Sequence, residues 1–255
     1  MGYRIDLLVR SDLFLKFKTR DVVQHNLQMK IIILLITFSL HLTLGFSIEF
    51  DEISKDKIPS SISVKGSFQS AFKWYDNNGT NYLILSSKGP FKTQNSETGG
   101  TELNKFIYTE QYIQKDGTTS LLWDIIDFEQ NCPFDIDVQF IKNSIQITDL
   151  DKDGITETTI AYKKYCRSDI TPAFLKILIH ENSTKFALRG QMIWSHNPPQ
   201  KNFEFNESKL TKEQKSELGF RVSEGRYKNL TDFNIAPDSF STYAVNQWKL
   251  LCIEQ

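Results

Sequence analysis

A short acidic loop between two strand-like segments constrains the fold of this sequence more than any other feature. Three aspartates alternate at Asp149, Asp151 and Asp153, and Gly154 follows at once. Alternating carboxylates in a tight loop converge on one point, which suits an oxygen-preferring cation such as Ca²⁺. The glycine permits the sharp turn that such a loop requires. The loop therefore predicts a calcium site, and a plain Asp/Gly turn without metal is the alternative.

Two further residues complete the predicted ligand set. Ile155, at position 7 of the loop, offers a backbone carbonyl, and Glu157, at position 9, offers a carboxylate directly or through water. Position 12 is Ile160, where an EF-hand needs a bidentate glutamate. Alternating, β-branched flanks predict strands on both sides of the loop rather than helices. In this combination the loop resembles those of FG-GAP and integrin-type β-propeller blades.

Turn signals between alternating apolar segments predict a mainly β (α+β) fold made of antiparallel hairpins. An Asn-Asn-Gly turn joins predicted strands at 66–75 and 81–86, and a Lys-Asp-Gly turn joins predicted strands at 105–113 and 120–126. The polar stretch 88–103 is predicted to be a surface loop. The hairpin pattern is expected to be partly propeller-blade-like.

The second half of the chain predicts further strands and one clear helix. Alternation predicts a strand at 134–140 and a hairpin within 174–190. Apolar residues recur at helical spacing over 238–252, so we expect a C-terminal helix packed on the sheet. Together these elements make residues 65–255 a single β-rich domain.

The N-terminal region predicts export. Residues 29–47 begin with Met-Lys, continue as a short apolar run and end in small residues, which is typical of a secretory signal peptide. The run is shorter than the ~20 residues of a membrane-spanning helix, so we expect no span in the mature chain; an uncleaved anchor is the alternative. Because a signal peptide lies near its start codon, residues 1–28 are interpreted as a mis-called extension, with a long basic leader as the alternative. The polar stretch 48–64 predicts a linker.

The three cysteines that follow this region predict one disulfide bond. Exported proteins meet oxidising conditions, so pairing is expected. Cys132 precedes one predicted strand and Cys166 follows the strand after the acidic loop, so we expect these two to be bridged. The chain-entropy model assigns such a bridge roughly 3.5–4 kcal/mol. Cys252 is expected to be a buried thiol on the C-terminal helix.

Catalytic motifs are mostly absent from the sequence. His180 and Glu181 begin like a zinc-protease helix, but Thr184 stands where the second histidine would be; each histidine of the mature chain is expected at the surface or at a strand end. Asp135 and Asp137 share one face of a predicted strand and could serve acid–base chemistry, although a solvated face is the simpler interpretation. The formal net charge of −1 gives no case for a nucleic-acid partner.

Six segments of the chain occur together in a fixed order. They are 131–137, 140–143, 147–154, 164–169, 186–190 and 236–248. In this order they resemble a family of exported proteins from Bacteroidetes and flavobacteria, some of which carry the label "surface polysaccharide biosynthesis protein". The resemblance covers most of residues 65–252. It implies an envelope location and a link to surface glycans.

Taken together, these patterns predict an exported module, periplasmic or on the cell surface, that is stabilised by Ca²⁺. Its role is expected to be binding or structural, with a surface glycan or another envelope protein as partner. The alternative is a glycan-active enzyme of polysaccharide assembly that uses Asp135 or Asp137 with another acid.

Overall fold

The computed structural model of the chain describes residues 48–254, and it has the mainly β architecture that the sequence predicts. The proposed extension 1–28 and the predicted signal peptide 29–47 lie outside the described residues. Within the described range, none of the helices is long and apolar enough to cross a membrane.

The first sheet consists of five antiparallel strands that follow one another in sequence order. They are β1 Asp51–Ile53, β2 Ser67–Asp76, β3 Gly79–Gln94, β4 Thr101–Lys115 and β5 Thr118–Cys132. In the turn between β4 and β5, Asp116 and Gly117 both have positive φ, the type I′ geometry that matches the twist of a hairpin. Both hairpins predicted for this half of the chain are confirmed.

The surface loop predicted over 88–103 is wrong, because β3 and β4 extend through most of it. Their pairing continues as far as Gln94 opposite Thr101. Stacked rings of Phe91 and Phe106 support this otherwise polar extension. A strand pair that is polar and exposed needs no apolar alternation, so pattern analysis does not detect it.

Residues 48–64, predicted to be a linker, belong to the folded domain instead. Strand β1 pairs with β2, from Asp51 opposite Lys73 to Ile53 opposite Ala71. Apolar side chains of this segment also pack on the first sheet; they are Ile53, Ile58, Ile62 and Val64. Single apolar residues in a polar context carry no periodic signal, and only tertiary packing reveals their role.

The second sheet has the order β10-β9-β8-β6, and the short β7 also pairs with β8. Its strands are β6 Asp135–Phe140, β7 Gln146–Thr148, β8 Glu157–Arg167, β9 Phe174–Glu181 and β10 Thr184–Gln191. The predicted strand at 134–140 and the predicted hairpin within 174–190 are both confirmed. The acidic loop joins β7 to β8, as its strand-like flanks predict.

Within residues 48–254, two α-helices and one small sheet complete the fold. Helix α1 spans Lys212–Leu218 and helix α2 spans Asp238–Leu251. After α2 the chain pairs β12 Ile253–Glu254 in parallel with β11 Ile193–Trp194. The C-terminal helix is therefore confirmed to within one residue of its predicted end.

The core is layered, and the second sheet lies in its middle. Leu178 on β9 packs into a cluster shared with the first sheet, together with Trp74 and Trp123. Its neighbours Ile177 and Ile179 point to the other face, into a cluster that includes α2. Both faces of the second sheet are thus covered, which explains why β8 and β9 are rich in buried residues. The two sheets are stacked face to face. The propeller-blade-like arrangement stays a prediction.

The predicted disulfide bond is present between Cys132 and Cys166. Cys132 ends β5 in the first sheet and Cys166 lies on β8 in the second, so the bond links the two sheets covalently. The third cysteine, Cys252, is a buried free thiol at the end of α2, as predicted.

Candidate metal centre

The acidic loop leaves β7 and returns on β8 through a backbone that a glycine makes possible. Gly154 has φ +83°, a conformation that L side chains rarely adopt. A Cβ atom at this position would lie 2.0 Å from Nδ2 of Asn77, which belongs to the turn between β2 and β3. The glycine therefore suits the positive φ of the turn, and its missing side chain leaves room for the Asn77 amide.

Five carboxylates gather around this loop. Asp149, Asp151 and Asp153 each offer an oxygen, and these oxygens lie within 4.8 Å of one another. Asp151 belongs to a second group of the same kind, with Glu157 and Glu181. The four predicted carboxylate ligands thus fall into two groups that share Asp151, and the second group adds Glu181, which the sequence analysis did not include.

Glu157 is fully buried and only half satisfied. Its Oε2 accepts hydrogen bonds from the hydroxyl of Thr148 and from the N–H of Leu150, both at 2.9 Å. Its Oε1 is buried and has no hydrogen-bond partner among the described residues. A buried acceptor without a partner is costly, and more so when it carries charge. The arrangement leaves one oxygen of this carboxylate available to a ligand in the cluster.

Asp149 repeats the pattern at the start of the loop. Its Oδ2 accepts the N–H of Gly154 at 3.2 Å, whereas its Oδ1 is buried and unpartnered within the described range. Four residues further along the loop, Oδ1 of Asp153 accepts a hydrogen bond from the N–H of Ile155 at 2.7 Å. The loop backbone therefore orients two of its carboxylates with single hydrogen bonds and leaves other oxygens unused.

Burial, and to a lesser extent the neighbouring aspartates, disfavour ionisation of the two glutamates in the cluster. Burial raises the pKa of Glu157 to about 7; hydrogen bonds from Leu150 and Thr148 oppose this rise, and Asp151 adds to it. Burial also raises the pKa of Glu181, with further contributions from the three loop aspartates. Raised carboxyl pKa values indicate a site in which negative charge is not fully compensated, and a bound cation would relieve it.

The donor set suits a hard cation. The clustered side chains offer only oxygen, whereas zinc sites use sulfur and imidazole nitrogen. Ca²⁺ takes six to eight oxygens in flexible geometry, while Mg²⁺ demands an octahedron and retains several waters. Two groups of carboxylates that share Asp151, with the carbonyl predicted from Ile155, match the preference of Ca²⁺ more closely.

Hydrogen bonds fasten the loop to the first sheet. The N–H of Asn77 donates to the carbonyl of Gly154 at 2.9 Å. Thr156, at the end of the loop, donates its hydroxyl to Asp76 at 2.7 Å and accepts the indole N–H of Trp74 at 2.8 Å. The cluster therefore lies where the second sheet meets the turn between β2 and β3.

Glu181 enters the cluster through strand pairing. It ends β9 and lies directly opposite Glu157 on the neighbouring β8. The sequence signal for this ligand is the register of the two strands, because an acidic residue paired with a predicted ligand faces the same side of the sheet. The residues around Glu181 give no local sign of this role, because the pairing of β8 with β9 is not visible in either strand alone.

The two acids considered for catalysis are placed differently. Asp135 is exposed on β6, and the nearby Asp137 accepts a hydrogen bond from Lys105. Neither belongs to a cluster of metal-ligand type among residues 48–254. They lie two residues apart on the strand and share one face, as predicted. Asp137 is paired with the ammonium group of Lys105.

The two histidines of the described range lie at a strand end and at the surface, as predicted, but the strand-end ring is buried. His180 lies near the end of β9, yet it is buried and stacks on Trp123 with ring centroids 3.9 Å apart. Burial lowers the pKa of His180 to about 3, so the ring is neutral at ordinary pH. His196 is exposed, as expected. His180 is buried between the two sheets because the end of β9 continues beneath Trp123 of the first sheet.

Comparison with known proteins adds no relative. No protein-family model matches the chain, and neither curated proteins nor solved structures give a match.

Proposed function

We propose that this chain is an exported, calcium-stabilised binding or structural module of the cell envelope. One Ca²⁺ would be held by the carboxylates of Asp149, Asp151, Asp153, Glu157 and Glu181, with the carbonyl of Ile155 as a further ligand. The observation that carries the proposal is Oε1 of Glu157, a fully buried carboxylate oxygen with no partner within the described range. A cation among the clustered oxygens would supply that partner.

The plain turn is the weaker interpretation, because it does not account for burial. An Asp/Gly turn needs hydrogen bonds of the kind seen between Asp149 and Gly154. It does not need a fully buried glutamate beside other carboxylates. Burying charge without compensation costs several kcal/mol. The coincidence of Glu157 with Asp151 and Glu181 is therefore better explained by a cation.

The ion would tie the acidic loop to the end of β9, because its proposed ligands all lie in the loop, on β8 or on β9. The loop backbone is already bonded to Asn77, in the turn between β2 and β3. Binding one cation would therefore hold the loop and the strand end together beside the first sheet. By mass action, Ca²⁺ at 100 times its dissociation constant stabilises the folded state by about 2.7 kcal/mol.

Three other features support the proposal that the protein is exported to the cell envelope. The disulfide between Cys132 and Cys166 suits an oxidising compartment. The leader predicted at 29–47 and the family resemblance point the same way. Ca²⁺ is abundant outside the cell, where weak extracellular sites operate in the 10⁻⁴–10⁻³ M range.

The test is thermal unfolding of residues 48–255 in excess Ca²⁺ and in chelator, with Asp151→Asn alongside. We expect Ca²⁺ to raise the Tm clearly and the variant to abolish the response, since Asp151 belongs to both carboxylate groups. Equal melting temperatures in Ca²⁺ and chelator would overturn the calcium site.

A matched control separates site loss from charge loss. Asp116→Asn removes the same charge from an exposed turn position whose positive φ of 51° asparagine tolerates. This control should keep the full Ca²⁺ response. Loss of the response in the control as well would assign it to general electrostatics.

A further inference from the structure

A buried arginine outside the acidic loop has no ion-pair partner among the described residues. Arg226 lies between α1 and α2 and is 6% exposed. Its Nη1 donates to the carbonyls of Val222 and Glu224, both at 3.1 Å. Its Nε is buried without a partner, and within residues 48–254 the guanidinium forms no ion pair with a carboxylate. Glu204, Glu207 and Glu224 act on this charge from a distance, but the hydrogen bonds of the guanidinium go to backbone carbonyls.

The position of Arg226 suits a ligand that carries a negative charge. The guanidinium stays protonated in proteins, so it cannot escape burial by losing its charge. It stacks over the ring of Phe203 at 4.1 Å, and this contact together with the two backbone bonds fixes its orientation. A fixed planar fork is suited to a carboxylate or another planar oxyanion.

Arg226 and Phe203 line a cleft of about 700 Å³. Its wall is rich in side-chain amides, which are Asn197, Gln200, Asn202 and Gln214. Amides both donate and accept hydrogen bonds, so they match a ligand that carries several hydroxyl groups. Volumes of this order are typical of small-molecule sites.

Glutamates in the same wall limit the charge of the ligand. Glu204, Glu217 and Glu224 all line the cleft. Glu224 is paired with Arg221 at 2.9 Å. With these carboxylates close by, a single negative charge is accommodated more easily than a phosphate dianion.

A second cleft of about 660 Å³ adjoins the first. The two share Asn197, Arg221 and Glu224 in their walls. The second is lined by aromatic rings, among them Trp194, which stacks with His196, and Phe220, which is 92% exposed. The exposed ring of Phe220, beside polar groups, is a surface on which a sugar ring can stack.

We propose that this bipartite cleft binds a sugar acid, with its carboxylate on Arg226, its hydroxyls on the amides and an adjoining ring on the aromatic end. The inference goes beyond the calcium-stabilised module and does not depend on the ion. A neutral sugar would leave the arginine without its anion, and a simple carboxylate would leave the amides unused.

The test is an NMR titration of the purified protein with four probes: D-glucuronate, D-glucose, acetate and inorganic phosphate. We expect D-glucuronate to shift the backbone amide signals of Arg226 and Gln214 saturably, and at least about tenfold more tightly than the other three. Equal binding of D-glucose, tighter binding of phosphate, or no saturable shift would overturn the proposal.

Two variants locate the anion contact. Arg226→Lys keeps the charge but loses the planar fork, and it should weaken D-glucuronate binding. Because this variant could also disturb the fold, Gln214→Glu provides a second test: it adds a negative charge to the wall and keeps the capping box with Thr211. It should weaken D-glucuronate binding and leave D-glucose unchanged.

Ser216→Glu is the matched control, since it adds the same charge to an exposed position of α1 that is not part of the cleft wall. It should bind D-glucuronate like the parent protein. If Gln214→Glu binds like Ser216→Glu, the acid does not occupy the cleft. If an acidic peptide competes with D-glucuronate and binds more tightly, the ligand class is wrong.

Discussion

At the scale of single residues, the acidic loop shows how far chemistry can be read from spacing. The alternation of Asp149, Asp151 and Asp153 predicts that their oxygens converge, and the structure brings them within 4.8 Å of one another. Spacing does not predict that Glu157 is fully buried. Burial leaves Oε1 of Glu157 without a hydrogen-bond partner among the described residues. This unpartnered oxygen is a stronger reason to expect a cation than the spacing of the aspartates.

Glu181→Gln tests the one ligand that sequence analysis missed. Removing this carboxylate should weaken Ca²⁺ binding on the order of tenfold without abolishing it, because the three loop aspartates and Glu157 remain. Isothermal titration with Ca²⁺ measures the change. An unchanged dissociation constant would remove Glu181 from the ligand set.

Gly154→Ala tests the approach of the loop to the first sheet. Forcing alanine into the left-handed region costs about 1–2 kcal/mol, and the new Cβ would also collide with Asn77. Gly117→Ala is the control, because Gly117 has a similar φ of +77° but nothing within 4 Å of the added Cβ. Urea unfolding should show the greater loss at Gly154. Equal losses would mean that Asn77 moves aside freely.

At the scale of elements, polar contacts join the two sheets in addition to apolar ones. Asp127 on β5 accepts the hydroxyl of Tyr162 at 2.6 Å and the ammonium of Lys164 at 3.2 Å, both on β8. It also pairs with Lys176 on β9. Burial acts to raise the pKa of Asp127, but these donors outweigh it and hold the pKa below its usual value.

Asp127→Asn should therefore destabilise the protein by roughly 2–3 kcal/mol at neutral pH. Because the folded pKa of Asp127 is lowered, its stabilisation is complete above its unfolded pKa of about 4 and is lost as the pH falls through the folded value. Below pH ~4 the parent should lose stability more steeply than the variant. Parallel pH profiles for the two proteins would contradict this account.

At the scale of the whole molecule, the disulfide is the covalent tie between the two sheets. Cys132→Ser with Cys166→Ser should lower the free energy of unfolding by roughly 3.5–4 kcal/mol in the chain-entropy model. Cys252→Ala is the control, since it removes a buried thiol and leaves the bridge intact. Under denaturing conditions without reductant, the parent should react with one equivalent of thiol reagent. Three reactive thiols would show that the bridge does not form.

Most elements could be predicted because each follows from a local signal. The hairpins have turn residues between alternating strands, and helix α2 has apolar residues at helical spacing over Asp238–Leu251. The elements missed have no such signal. The extension of β3 and β4 beyond Lys88 is polar, and β1 is only three residues long.

The sequence by itself determined most of the strands, the C-terminal helix, the loop that gathers carboxylates and the pairing of Cys132 with Cys166. These depend on side chains close in the chain or on a choice among few partners. Only the tertiary structure decided that Glu181 joins the loop, that Arg226 is buried with its Nε unpartnered within the described range and that His180 lies under Trp123. Each of these depends on strand register or sheet stacking. Contacts between residues distant in sequence arise from the packing of whole faces, and no local pattern encodes which faces meet.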